Sequence, residues 1–478
     1  MGRDIPKSEF SAEDKREFDQ RLREETRLLM DLFKSDAFEN TKEHCGFELE
    51  MCLVDKNCRP SPKNEEFLAR SPSHLVVPEL SRFNFEINST PHPFEGKLLS
   101  NLEEELIEVW RGCRRRANQM GLEVLAIGIL PTITDENLTM ENMSSLKRYL
   151  ALNHQILKLR KDKPLELKID GKDILRISHH DVMLESVTTS LQIHLQVNSS
   201  EAVRYYNTAQ ILSAPIVAVA ANSPYLFGKD LWEETRIPVF EQAISVASFR
   251  DSHGEIVRRV TFGTGYGRNS LLEPFLENLD RYPVLLPMVL EGEPTSLSHL
   301  RLHNGTIWRW NRPLIGLGEN GKPHIRIEHR VASAGPSISD IIANIAFFLG
   351  LINYFLKNDT PLETLVPFEI ARHNFYRAAK KGFAAKVTWV DGKEVTLQSL
   401  LLGSLLPAAR EGLLKAGLLK EDVSFYIDDI MANRIRTGKN GAGWQRSFIG
   451  VHGNDFQAMT RSYIENQKKN IPVHEWPI

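Results

Sequence analysis

Four short segments of this chain alternate between apolar and polar side chains, and their polar positions constrain the fold more than any other feature. In a β-strand successive side chains point to opposite faces. In residues 47–54, Phe47, Leu49, Met51 and Leu53 share one face, opposite Glu48, Glu50, Cys52 and Val54. In 82–89, Phe83, Phe85 and Ile87 oppose Asn84, Glu86 and Asn88. In 190–197, Leu191, Ile193, Leu195 and Val197 oppose Gln192, His194 and Gln196. In 324–331, Ile325, Ile327 and Val331 oppose His324, Arg326, Glu328 and Arg330. Any one such strand is explained by an antiparallel sheet with one solvated face. Taken together the four ask for more, because none contains lysine, the common solvent-face cation. Their polar positions carry Glu, Gln, Asn, His and Arg, groups that coordinate metals and grip anions. The pattern predicts a sheet whose polar face lines a cavity.

The chemistry of that face follows from the residue types. Glu48 and Glu50 sit two residues apart, with α-carbons roughly 7 Å apart by strand geometry. Carboxylates so placed repel each other unless a cation lies between or beside them. Glu86 and Glu328 bring the number of carboxylates to four, and His194 adds a nitrogen donor. Oxygen-rich donor sets suit Mg²⁺ or Mn²⁺ rather than zinc. Arg326 and Arg330 cannot bind a metal, but a guanidinium grips phosphate or carboxylate through two parallel hydrogen bonds. Metal ligands and arginines facing one space fit a nucleoside triphosphate, with Arg326 and Gln192 read as nucleotide-side groups.

Composition removes several alternatives. The 478 residues carry a formal net charge of −3, so no overall basic field invites nucleic acid or an anionic membrane. The first twenty residues are charged throughout and carry no apolar signal segment. The most apolar run, 341–356, contains Asn344 and Asn353 and is short for a bilayer, so a buried helix is expected. Four cysteines at 45, 52, 58 and 113 form no Cys-x-x-Cys pair and outline neither a zinc site nor a disulfide framework. A reducing cytoplasm is the simplest location.

Helical periodicity is expected over 9–34 with Ser11 as N-cap, and over 101–120 ending at Gly121. It recurs over 202–221 with Pro215 as a kink or break, over 337–357, and widely after about residue 395. This divides the chain into a helical arm (1–40), a catalytic domain (41–370) and a helical C-terminal region (371–478). Four weaker signals remain. The glycines of 262–270 lack the Walker Lys-Ser/Thr ending and predict a loop. His179, His180 and Asp181 are adjacent, so they point in different directions and predict a loop near the cavity mouth. Trp308 and Trp310 predict aromatic packing, with Arg309 free to face the cavity. Residues 436–443 read as a flexible basic loop, either a plain connection or a lid carrying Arg434, Arg436 or Lys439 over phosphates.

The segments CGFELEMCLVD (45–55), FNFEINSTPHPF (83–94), TTSLQIHLQV (188–197), NSPYLFG (222–228), HNGTIWRWNRP (303–313) and HIRIEHRV (324–331) resemble, in order, those of glutamate–cysteine ligases and related carboxylate–amine ligases of the glutamine synthetase superfamily. RIRTGKNGAGWQ (434–445) is similar to the same branch. The resemblance implies an α+β fold, with an antiparallel funnel-shaped sheet, a polar metal-binding face, and helices packed on the apolar face. It implies ATP and Mg²⁺ (or Mn²⁺) as cofactors, with small-molecule carboxylate and amine substrates and no nucleic acid or membrane partner. A homo-oligomer is left open. By motif, Glu48, Glu50, Glu86, His194 and Glu328 match metal ligands. Glu328 and Arg330 match a late Glu-x-Arg pair that stabilises the transferring phosphoryl or acyl-phosphate group. Arg312 resembles a nucleotide- or substrate-side arginine. The implied reaction activates a carboxylate, glutamate first among candidates, as an acyl phosphate that an amine then attacks. Two other readings share the fold: phosphoryl transfer to a nitrogen acceptor, and ATP binding without turnover.

Overall fold

All four alternating segments are strands, and they lie side by side. The structure, a computed structural model, describes residues 5–40, 43–70, 73–246, 258–318 and 320–478. Six strands form the main path of the sheet: β1 (His44–Val54), β2 (Val76–Pro78), β3 (Asn84–Asn88), β4 (Ser190–Val197), β5 (Asn311–Leu317) and β6 (Pro323–Ser333). Their order is β5-β6-β4-β1-β3-β2, every neighbouring pair antiparallel. His92–Pro93 and Glu123–Leu125 pair with the two ends of β1. The sheet curls into an open half-barrel.

Register decides which polar side chains meet. Glu48 lies opposite Gln192 across β1 and β4, and Glu328 lies opposite His194 across β6 and β4. Glu50 lies opposite Glu86 across β1 and β3. Side chains directly opposite on one face stand close together, so pairing alone brings the predicted residues into one hollow.

The other face is dry. Six helices matter for positioning it: α1 (Ala12–Ser35), α2 (Leu98–Gln119), α3 (Ala202–Val219), α4 (Arg236–Ala243), α5 (Ser298–Gly305) and α6 (Ile338–Leu356). Helices α3 and α6 pack against each other behind the sheet. His329, on the apolar side of β6, stacks on Phe348 of α6 with ring centroids 4.1 Å apart. By length and hydropathy α6 is able to cross a membrane, but 89% of its apolar window is buried inside the protein. It is a core helix, capped by Ser337, whose hydroxyl accepts from the Asp340 amide while the Asp340 carboxylate accepts from Ser337. Pro215 lies within α3 without breaking it.

At the amino-terminal end, Ser11 caps α1 in a box with Asp14. The helix is pinned to α5 by Glu25, whose buried carboxylate takes a 2.6 Å bond from His299 and a 2.8 Å bond from the Leu300 amide. One apolar core runs from Phe18 in α1 to Trp476 near the carboxyl terminus.

The basic segment 436–443 departs from expectation. Arg434 and Arg436 lie on a helix, Ala432–Thr437, that Gly438 ends at φ +66°, and a second helix starts at Gly441. Arg434 is wholly buried, 2.7 Å from Asp340 and 2.5 Å from Asn344. Lys439 donates to the Trp476 carbonyl. Basic residues read as phosphate contacts are therefore spent on the carboxylate that caps α6 and on the chain's own backbone. Arg434→Ala strands Asp340 as a buried carboxylate, an effect of about 3–5 kcal/mol. Chemical denaturation should show that loss, with the ATP KM of the surviving folded protein unchanged.

Candidate active site

Five of the predicted residues on the polar face, joined by Glu79, form two neighbouring trios. In the first, Glu48, His194 and Glu328 each offer one donor atom, and these atoms lie within 4.8 Å of one another. His194 Nε2 is 3.4 Å from Glu48 and 3.7 Å from Glu328. Neither ring nitrogen of His194 makes a hydrogen bond, although both are buried. Burial holds the imidazole below its ordinary pKa, against the pull of Glu48 and Glu328, so the neutral, metal-ready form is favoured. In the second trio, Glu50, Glu79 and Glu86 offer oxygens within the same 4.8 Å limit. Burial, with Glu79 beside it, pushes Glu50 up to about 7 even though Arg330 opposes the shift. Burial and the carboxylates of Glu48 and Glu79 push Glu86 well above the usual range.

Buried polar side chains are ordinarily hydrogen-bonded, and crowded carboxylates are relieved by protonation or by a cation. A buried imidazole without a hydrogen bond, between two carboxylates and beside a second acidic trio, fits a divalent cation bound through oxygen and one nitrogen. The donor chemistry therefore agrees with the metal that the residues imply.

Arginines divide the rest of the face. Arg312 grips Glu328 through two parallel bonds of 2.8 and 2.9 Å, and Arg330 approaches the same carboxylate at 3.1 Å. Burial opposes ionisation of Glu328, but Arg312 and Arg330 together hold its carboxyl well below the usual range. Arg312, read as a nucleotide- or substrate-side group, thus spends its fork on Glu328. Arg330 also donates to Gln192, whose amide nitrogen donates 3.0 Å to Glu50. Gln192 therefore links the two trios. Arg326 is different. It is half-buried, opposite Gln196, and no hydrogen bond or ion pair engages it among the described residues.

Three residues of the site escape the sequence reading. Glu79 directly follows β2, an edge strand too short to show any periodicity. Glu185, in the 3₁₀ turn Met183–Val187 before β4, has its carboxyl pushed well up by burial and by Glu79 and Glu50. Arg236 opens α4 and carries no alternation signal. Two other signals turn away from the hollow. Arg309 is buried against Glu277 and Asn278, at 2.8 and 2.7 Å, and does not face the cavity. His179 ends a strand rather than lying in a loop, and bridges Asp135 and Asp181 at 3.1 and 3.2 Å.

Comparison with known proteins places the chain in a family. The model of glutamate–cysteine ligase family 2 matches residues 44–469, nearly the whole chain. The chain belongs to that family. As a member of glutamate–cysteine ligase family 2 it is an ATP-dependent carbon–nitrogen ligase that joins a carboxylate and an amine. Among solved structures it is similar to the glutamate–cysteine ligase of Francisella tularensis in complex with AMP, at 11% identity and a TM-score of 0.53, covering 92% of this chain and 91% of that one. It also matches a bifunctional glutathione synthetase from Pasteurella multocida, at 10% identity and a TM-score of 0.48, covering 93% of this chain and 54% of that one. At such identity the first likeness establishes the fold and says nothing of substrate. No curated protein matches the sequence significantly.

The two trios generate a direct expectation. Glu48→Ala and Glu86→Ala should each lower turnover by about 100-fold or more, measured as ATP-dependent phosphate release. Melting temperature should hold or rise, because each substitution removes one of several mutually repelling carboxylates.

Proposed function

We propose that this member of the family activates the side-chain carboxylate of glutamate with ATP and forms an amide with an amino acid or other amine. The observation that carries this reading is the buried imidazole of His194, without a hydrogen bond between Glu48 and Glu328, next to an unengaged arginine and a second acidic trio. Glu48, His194 and Glu328 would hold one divalent cation, and Glu50, Glu79 and Glu86 a second, with Mg²⁺ the favoured ion. When bound, such ions neutralise the charge that gathers on transferring phosphoryl groups.

The residues themselves have separate tasks. A carboxylate is a poor electrophile, so its oxygen must first take the γ-phosphoryl group of ATP, and ADP leaves. The amine then adds to the acyl carbon and phosphate departs. Both steps concentrate negative charge, which fixed guanidinium groups stabilise without reorganising. Arg326 has its donors free to meet phosphate oxygens. Arg330, held by Glu328 and Gln192, presents a pre-aimed charge at the junction of the trios. Arg312 keeps Glu328 ionised and fixed in direction. No side-chain nucleophile is needed, and all four cysteines are buried free thiols. Free thiols suit the reducing cytoplasm, where ATP is also abundant.

A screen of carboxylate and amine pairs, read by phosphate release with ATP and Mg²⁺, tests the proposal. Turnover should need both partners and should be greatest with glutamate. Equal ATP cleavage with a guanidine acceptor and no carboxylate would sink it, and so would silence with every pair.

A further inference from the structure

Strand β6 contains one irregularity, and it falls at Arg330. Pairing with β4 runs regularly to His329 opposite Ile193, then resumes at Ala332 opposite Leu191. Arg330 and Val331 therefore share a place opposite Gln192, which is a β-bulge with one extra residue. A bulge turns a side chain in a new direction, and it withdraws backbone groups from the ladder. Those groups still need partners where water is excluded.

Arg236 supplies them. Its Nη1 donates 3.3 Å to the Arg330 carbonyl and its Nη2 donates 2.6 Å to the Val331 carbonyl. Its Nε donates 3.1 Å to Glu234. Glu234 is fully buried and is fixed in turn by the Asn222 amide and the Ser223 hydroxyl, each at 2.8 Å. The Trp310 ring covers the guanidinium at 5.4 Å, and the Trp310 carbonyl accepts 2.9 Å from the Arg330 amide. Arg236 is 2% exposed, and three of its five N–H directions are committed to protein. It has little left to offer a substrate.

We propose that Arg236 is a positioning residue for Arg330: anchored by Glu234, it caps both carbonyls of the β6 bulge and thereby fixes the direction in which the Arg330 guanidinium enters the site. The inference rests on the reading of Arg330 as a charge-stabilising group. The planar fork suits this task, because a lysine ammonium reproduces only part of the contact to two carbonyls and a carboxylate.

The test is a double-mutant cycle in the full chain with Arg236→Gln, Arg330→Gln and both together, read by kcat and KM for phosphate release, by Mg·ATP affinity, and by melting temperature. Arg236→Gln should lower kcat by ~10–100-fold, the scale of a misplaced catalytic group, with the KM of the amine unchanged. The double variant should be no slower than Arg330→Gln alone, and Arg236→Lys should recover part of the loss. If the losses multiply, or if Arg236→Gln keeps full turnover, the positioning role is wrong. Should Arg236→Gln not fold, Arg236→Lys takes its place in the same cycle. Full activity of Arg330→Gln would instead overturn the reading of Arg330, and the inference with it. If the wild type turns over no pair, the ligase reading fails separately, and the cycle is decided on Mg·ATP affinity.

Discussion

Carboxylates drawn together in a hollow with little water repel strongly; unit charges 4 Å apart interact by about 4 kcal/mol at an effective dielectric constant near 20. The fold has to answer that repulsion before it does anything else, and it answers in two ways. Glu328 is neutralised from within the protein by Arg312 and Arg330. The acidic trio of Glu50, Glu79 and Glu86 receives less internal charge, and Glu50 and Glu86 are pushed toward the protonated form. Glu328 is held in place, and toward its ionised form, by these two arginines. The others keep a capacity for positive charge that a bound cation would fill.

That division requires a rigid support. The polar face is held by a continuous antiparallel ladder, and its apolar face by α3 and α6, whose side chains are almost wholly buried. A well-packed core resists small displacements, so cross-strand neighbours such as Glu328 and His194 keep their spacing. The long apolar helix is part of this arrangement, and the buried Asp340–Arg434 pair locks its start to the carboxyl-terminal helices.

Much of this was legible in the chain because strands repeat every two residues. Alternation alone placed Glu48, Glu50, Glu86, Gln192, His194, Arg326, Glu328 and Arg330 on one face, and the sheet brings them there. Alternation cannot tell how that face divides. The expectation of a single cluster of four carboxylates and a histidine becomes two trios because register sets Glu50 against Glu86 and Glu328 against His194. Glu79, Glu185 and Arg236 stand outside any regular strand, where no period marks them. The 436–443 segment misled for a related reason: glycine and basic residues read as a mobile loop, yet Gly438 is a helix terminator and Arg434 an internal counter-ion.

The strand order also has a consequence for how the enzyme comes into being. The Glu50–Glu79–Glu86 trio comes from one early, nearly contiguous stretch, whereas Glu48, His194 and Glu328 belong to three strands widely separated along the chain. On a translating ribosome, the first acidic patch is complete long before the strand carrying Glu328 has emerged. Until β6 arrives, β4 has an open edge and His194 lacks one of its neighbours. Pairings between such distant segments are slow to form and leave edges exposed meanwhile. A nascent ligase thus keeps β4 open-edged until residues 323–333 emerge, and only then gains its complete constellation of charged groups.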